Sequence, residues 1–138
     1  MTIRRSLSLK TGHSIGLLDE EVELASFENT DLPDTVIVKF RATGEYSNLY
    51  AGNLEDKSKT KIEDKVYYLR KNEIIHFGEN VSIVMTRHNY SDFRVVIETK
   101  NSGAIVYVKK FGRLYRLGKQ NDPNEHSFKL YAVDKQNQ

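Results

Sequence analysis

The sequence predicts an all-β protein. One β-meander is written twice, the copies form a compact sandwich or barrel-like body, and a β-hairpin is appended at the C-terminal end. Three observations lead there. From Tyr67 to Ile97 apolar and polar residues alternate with a period of two, between turn-forming clusters. A fainter version of the same text occurs about sixty residues earlier, and an internal repeat fixes architecture before any local reading does. No stretch of about twelve residues carries convincing helical periodicity.

Taken in order, residues 1–6 read as a mobile or edge segment ending near Arg4 and Arg5. Leu7 and Leu9 alternate with Ser8 and Lys10 as a strand, and Thr11-Gly12-His13 turns the chain. Ile15, Leu17 and Leu18 make a second strand, Asp19-Glu20 a turn, and Val22, Leu24 and Ser26 a third strand. An acidic loop containing Pro33 precedes a strong strand at Val36, Val38 and Phe40. Thr43-Gly44-Glu45 is expected to close a hairpin onto Tyr46–Tyr50. The polar stretch Ala51 to Asp64 reads as a loop joining the copies.

The second copy runs through the strand around Tyr67, then Ile74-Ile75-Phe77, the turn Gly78-Glu79-Asn80, and the strand Val81-Ile83-Met85. The turn His88 to Asp92 and the strand Phe93-Val95-Ile97 follow. Asn101-Ser102-Gly103 signals a hairpin into Ala104–Lys109. Strands at Phe111–Leu117 and Phe128–Val133 form the appended hairpin around the loop Gly118–His126, and 136–138 is a tail. The expected units are residues 1–52, a linker at 53–65, residues 66–110, and the hairpin and tail at 111–138.

The copies align as Leu9-Lys10-Thr11-Gly12 with Leu69-Arg70-Lys71-Asn72. Asp34-Thr35-Val36-Ile37-Val38 aligns with Phe93-Arg94-Val95-Val96-Ile97.

With 138 residues, 38% hydrophobic and 29% charged, the chain suits a single soluble globular domain or two half-domains sharing a core. No apolar run approaches a membrane span or a signal peptide. Zero cysteines exclude disulfides and thiolate metal sites and fit a reducing, cytoplasmic setting.

The net charge of +2 hides an asymmetry. Residues 1–60 hold 7 Lys/Arg against 10 Asp/Glu, or −3, and residues 61–138 hold 14 against 9, or +5. Lys100, Lys109, Lys110, Arg113, Arg116 and Lys119 fall in a stretch with no acid at all. Such asymmetry is either the footprint of a polyanion surface or a solvated basic face.

Catalysis finds no constellation. His13, His76, His88 and His126 have no metal-ligand spacing, no Gly-x-Ser-x-Gly or cysteine supplies a nucleophile, and no glycine-rich phosphate loop opens a helix. Glu20-Glu21 falls in a turn, where solvated carboxylates are routine. A non-enzymatic protein without cofactor or metal is expected. The positive signal is cations interleaved with rings: Tyr107, Lys109, Lys110, Phe111, Arg113, Tyr115 and Arg116 within ten residues. Lys and Arg attract phosphates, and aromatic faces stack on unpaired bases. Simple alternation puts Tyr107, Lys109, Phe111, Arg113 and Tyr115 on one face and Lys110 and Arg116 on the other. The competing reading makes Phe111 and Tyr115 core residues with the charges as a rim.

The stretch around Leu69–Ile97 resembles the carbon storage regulator (CsrA/RsmA) family of small all-β RNA-binding proteins. Val66-Tyr67-Tyr68-Leu69-Arg70 is similar to the family's opening strand, and Asn72-Glu73-Ile74-Ile75 to its next step. Phe77-Gly78-Glu79-Asn80-Val81-Ser82-Ile83 is similar to its Ile-Gly-Asp-Glu turn and Val-Thr-Val strand, and Phe93-Arg94-Val95-Val96-Ile97 to its Arg-Ile-Gly-Val strand. In that family two identical chains interleave their strands. RNA with an exposed Gly-Gly-Ala loop is held by the first strand of one chain and the last strand of the other.

The resemblance implies a tandem duplication building that body in one chain. Tyr67 and Arg70, with Tyr68 and Leu69, stand at the first-strand positions. The family's Val-His-Arg falls near Val106-Tyr107-Val108-Lys109, where Lys109 lacks the planar fork of arginine. In the first copy the same region, Asn48-Leu49-Tyr50, has no cation.

The expected function is RNA binding in post-transcriptional or translational regulation, by a monomer or homodimer away from membranes. Lys109, Lys110, Arg113 and Arg116 would contact phosphates, and Tyr67, Tyr107 and Tyr115 would stack on bases, with Arg70 beside them. Two alternatives stay open: a protein-interaction module docking on host machinery such as RNA polymerase or a nuclease, and a small Tudor- or KOW-like barrel binding duplex DNA.

Overall fold

The computed structural model describes residues 2–17, 23–42, 44–100, 106–117 and 130–132. Within them the chain forms thirteen strands and one 3-10 turn. The first group is β1 (Thr2–Leu9), β2 (His13–Leu17), β3 (Glu23–Asn29) and β4 (Thr35–Phe40), followed by the 3-10 turn Gly44–Ser47. Then come β5 (Leu49–Asn53), β6 (Lys59–Lys61), β7 (Val66–Arg70), β8 (Glu73–Phe77), β9 (Val81–His88) and β10 (Phe93–Lys100). β11 (Val106–Lys110), β12 (Arg113–Leu117) and β13 (Leu130–Ala132) complete the described chain.

The strands build two antiparallel sheets. Sheet one has the order β1-β10-β9-β8-β5-β6, and sheet two the order β13-β12-β11-β2-β3-β4-β7. Neither sheet closes on itself, so of the two expected bodies the sandwich forms and the barrel does not.

Alternation along each strand dictates the core. Val81, Ile83 and Met85 on β9 and Phe93, Val95 and Ile97 on β10 are buried, while Ser82, Val84, Thr86, Arg94 and Val96 are half-buried on the other face. Leu7, Leu9, Ile15, Leu17, Val36, Val38, Leu69, Ile75, Val106 and Val108 join the same cluster. Rings weld the sheets together: Phe27 of β3 meets Phe93 of β10 at 5.7 Å between centroids, and Phe40 of β4 meets Phe77 of β8 at 5.8 Å. Each fully buried side chain of this size stabilises the fold by about 1.5–3 kcal/mol.

The path of the chain has a two-fold logic. β1 lies in sheet one, β2–β4 in sheet two, and β5 returns to sheet one; β7 lies in sheet two, β8–β10 in sheet one, and β11 returns to sheet two. Pairings correspond throughout: β1 with β10 as β7 with β4, β2 with β11 as β8 with β5, and β5 with β6 as β11 with β12. Local details correspond too. Gly12 and Asn72 both have positive φ, and the Gly12 N–H donates to the Phe27 carbonyl as that of Asn72 does to Met85. The Lys10 N–H donates to His13 Nδ1 at 3.0 Å, and the Arg70 N–H to Glu73 Oε1 at 2.8 Å.

Several local expectations change. The hairpin expected at Thr43-Gly44-Glu45, where Thr43 lies outside the described residues, does not join β4 to β5: β5 leaves β4 for the other sheet, because β7 occupies the edge of β4. Asn101-Ser102-Gly103 lies outside the described residues, but the strands on either side, β10 and β11, sit in different sheets and do not pair. The expected linker holds a strand, β6, paired with β5 through Tyr50–Lys61, Ala51–Thr60 and Gly52–Lys59. The copies also align differently at β4. Leu9 stands opposite Phe93 and Leu69 opposite Val36, so Val36, not Asp34, corresponds to Phe93. A slip of two residues keeps every side chain on its face, so alternation alone cannot detect it. The turn at Asp19-Glu20, Leu18 and Val22, and the segments 118–129 and 133–138 lie outside the described residues.

Candidate nucleic-acid interface

The β11–β12 hairpin is anchored through its apolar residues. Val106 and Val108 are buried opposite Leu17 and Ile15 of β2, and Leu117 is buried on β12. A two-residue turn, Phe111-Gly112, joins the strands with φ of 51° and 83°. Positive φ at both central positions is the turn that matches the natural twist of a hairpin.

A two-residue turn pairs residue i with i+3, which reverses parity across the hairpin. Tyr107 therefore stands opposite Arg116, Val108 opposite Tyr115, Lys109 opposite Leu114, and Lys110 opposite Arg113. The single face expected from alternation is corrected accordingly. Tyr107, Lys109 and Arg116 share the outer face of sheet two, and Lys110, Arg113 and Tyr115 share the other side, where Lys110 Nζ lies 5.6 Å from the centre of the Tyr115 ring.

Lys109, Arg113 and Arg116 are exposed and Lys110 is half-buried. The three ion pairs among the described residues are Arg4–Glu98, Lys39–Glu28 and Arg41–Glu23, none of which uses these cations. The positive field extends into neighbouring strands. Arg5 is buried on β1 and its Nη1 lies 3.4 Å from Thr99 Oγ1; burial first, then the nearby Arg116 charge, hold the guanidinium below its ordinary pKa. His13 of β2 is pushed down to about 4 by burial, then by Lys110 and Lys10, so its imidazole stays neutral.

Phe111 stands in the sequence cluster of cations and rings, with a core position as the competing reading, but outside the expected contact residues. It is 77% exposed at the tip of the hairpin. Its ring meets His13 edge-on at 5.1 Å, and its Cε1 lies 3.1 Å from where a Cβ on Gly12 would stand. The available signal was Phe-Gly itself, a turn dipeptide between two strands of opposite parity.

Tyr67 and Arg70 are elsewhere. They lie on β7, the far edge of sheet two, five strand spacings from β12 or roughly 24 Å across the sheet. The Tyr67 hydroxyl donates to Glu73 Oε2 at 2.7 Å, and burial, with Glu73 second, pushes it up to about 12. Its ring packs on the core at one wall of a groove of about 540 Å³ that also takes in Asn53, Thr60, Lys61 and Glu73. The structure thus gathers Tyr107, Lys109, Lys110, Arg113, Tyr115 and Arg116 on one hairpin and leaves Tyr67 and Arg70 at the opposite edge.

A second groove, about 360 Å³, crosses the outer face of sheet one over Ile74, Val84 and Val96. His76 lines it, its pKa lowered by burial first and then by Lys59 and Lys100. Among the described residues no three His, Cys, Asp or Glu side chains are placed to share a metal ion, and no helix is long and apolar enough to cross a membrane. Comparison with family models, curated proteins and solved structures gives no match to this chain.

Proposed function

We propose that this chain is a non-enzymatic RNA-binding protein acting in post-transcriptional regulation, with the β11–β12 hairpin as its principal contact surface. One observation carries the reading: four cations, none ion-paired to a described residue, share a single hairpin with Tyr107, Phe111 and Tyr115. Charges of this kind neutralise phosphates, and the rings supply flat faces for unpaired bases.

The strand exchange supports the resemblance to the carbon storage regulator family. Each copy's opening strand, β1 or β7, pairs along the fourth strand of the other copy, and each fifth strand, β5 or β11, along the other's second strand. This is interleaving of the kind the family achieves with two chains. The cationic partner of that resemblance is Lys109, on β11.

A salt titration tests the reading. Four phosphate contacts give a log–log slope of roughly −3 for single strands, about a 50-fold loss between about 50 and about 200 mM salt. Absence of any affinity for RNA at low salt removes the proposal.

Docking on a protein partner is favoured by a different feature. β7 is an open edge strand with Val66 45% and Tyr68 53% exposed, a surface onto which a partner's strand can add. A nuclease-resistant, stoichiometric complex lost on Tyr68→Lys substitution would identify it.

A further inference from the structure

Resting on the nucleic-acid reading above, we infer that Phe111 is a stacking platform for an unpaired base of a single strand, held at the hairpin tip between Lys110 and Arg113. The other described phenylalanines, Phe27, Phe40, Phe77 and Phe93, are all buried. Phe111 is held out instead.

Two observations besides exposure carry this. The first is the backbone. Phe111 has φ of 51°, a conformation that bulky side chains avoid and that Asn or Gly adopts readily. An asparagine would suit the turn better, and a phenylalanine stands there against its own conformational preference. Strain of this kind concentrates at binding sites.

The second is the support beneath the ring. Gly12, itself at φ of 91°, leaves space that a Cβ would fill at 3.1 Å from the ring, and the His13 edge at 75° props it from the side. With these contacts on Gly12 and His13 the residue is still 77% exposed. Lys110 and Arg113 face each other at the base of the turn, ready to take the phosphates on either side of a stacked base. A duplex hides its base faces, whereas a single strand offers them, so the geometry selects single strands. The corresponding β5–β6 hairpin turns through Leu54-Glu55-Asp56-Lys57-Ser58, none of which carries a ring.

The test uses short RNA and DNA oligonucleotides carrying 2-aminopurine, single-stranded and duplex. The parent protein should quench the fluorophore in single strands. Phe111→Asn should abolish the quench and weaken single-strand binding roughly 5- to 150-fold, with duplex binding unchanged. Phe111→Tyr should retain both signals. Because asparagine fits the turn, Phe111→Asn should melt at or above the parent's temperature, so lost binding cannot be ascribed to unfolding. An effect confined to the RNA arm, or to the DNA arm, supports the platform and names its strand. If Phe111→Asn binds and quenches like the parent, the platform is overturned while the nucleic-acid reading stands. If the parent binds no oligonucleotide in any arm, both fall.

Discussion

The β5–β6 and β11–β12 hairpins hold corresponding places in the two halves of the chain, yet they differ in charge and in what stands at the turn. Pairing makes Lys61 the counterpart of Arg116, Tyr50 of Tyr107 and Gly52 of Lys109. Residues 49–61, from the start of β5 to the end of β6, hold Lys57, Lys59 and Lys61 against Glu55 and Asp56, for a net charge of +1. Residues 106–117 hold Lys109, Lys110, Arg113 and Arg116 against none, for +4. The lesson is that strand course and site chemistry separate. The same pattern of pairing is kept at both ends, while a fourfold surplus of positive charge with no acid and an exposed ring at the turn stand at one of them.

The largest effect expected is on the scaffold that both ends share. Phe27 belongs to the first strand group and Phe93 to the second, and the rings meet across the sheets. Phe93→Ala should cost about 3–5 kcal/mol. In denaturant, probes at the two hairpins should lose signal in one transition at a lower midpoint; two separate transitions would show that the ends belong to separate units and undo the comparison.

Next comes pH. In the folded chain His13 titrates at about 4, below its ordinary 6.5, while the unfolded chain binds the proton near 6.5. Stability from this residue is therefore complete above about pH 6.5 and lost as pH falls toward 4, by about 2–3 kcal/mol. Protonation also removes the acceptor that His13 Nδ1 offers the Lys10 N–H. His13→Gln should flatten this limb of the pH–stability curve between about 4 and 6.5; an unchanged limb would place the acid sensitivity elsewhere.

What could be read beforehand divides along physical lines. The strands β8, β9 and β10 were legible because Ile75, Ile83, Met85, Val95 and Ile97 alternate with polar partners and turns such as Gly78-Glu79-Asn80 punctuate them. β6 was not, because Lys59, Thr60 and Lys61 are all exposed and show no apolar face to mark a strand. Alternation also left the exchange of β1 and β7 between sheets hidden, since it says which face is buried but not which strand lies alongside. Within the candidate site the cations and rings were visible as a cluster, but their sorting into faces depended on the turn. Reading straight through Phe111-Gly112 as continuous strand put Lys109 with Tyr115, whereas the register pairs Lys109 with Leu114 and Val108 with Tyr115.

The charge difference between the ends gives the third expectation. Lys109→Ala/Lys110→Ala should lower the salt slope of RNA binding by about 1.5 and weaken binding by about 2 kcal/mol, roughly 30-fold. Lys59→Ala/Lys61→Ala, at the other end, should change both by far less. Equal losses would mean that the weakly charged hairpin contributes as much as the strongly basic one, and the proposed surface would have to span both.

The smallest expected effect is also the most local. Gly12 and Asn72 occupy corresponding turns, with φ of 91° and 67°. Placing alanine at either one forces an L side chain into the left-handed region, at a cost of about 1–2 kcal/mol at Gly12 and less at Asn72, where a side chain is already accommodated. Strain alone would make both variants lose stability and leave RNA affinity alone at native temperatures. Only at Gly12 does the new Cβ meet a ring, Phe111, at 3.1 Å. Gly12→Ala should therefore weaken single-strand binding several-fold beyond anything seen for Asn72→Ala, as measured on folded protein well below the melting point of both. If the two variants bind alike, the ring does not depend on the shelf beneath it, and the difference between the ends reduces to charge.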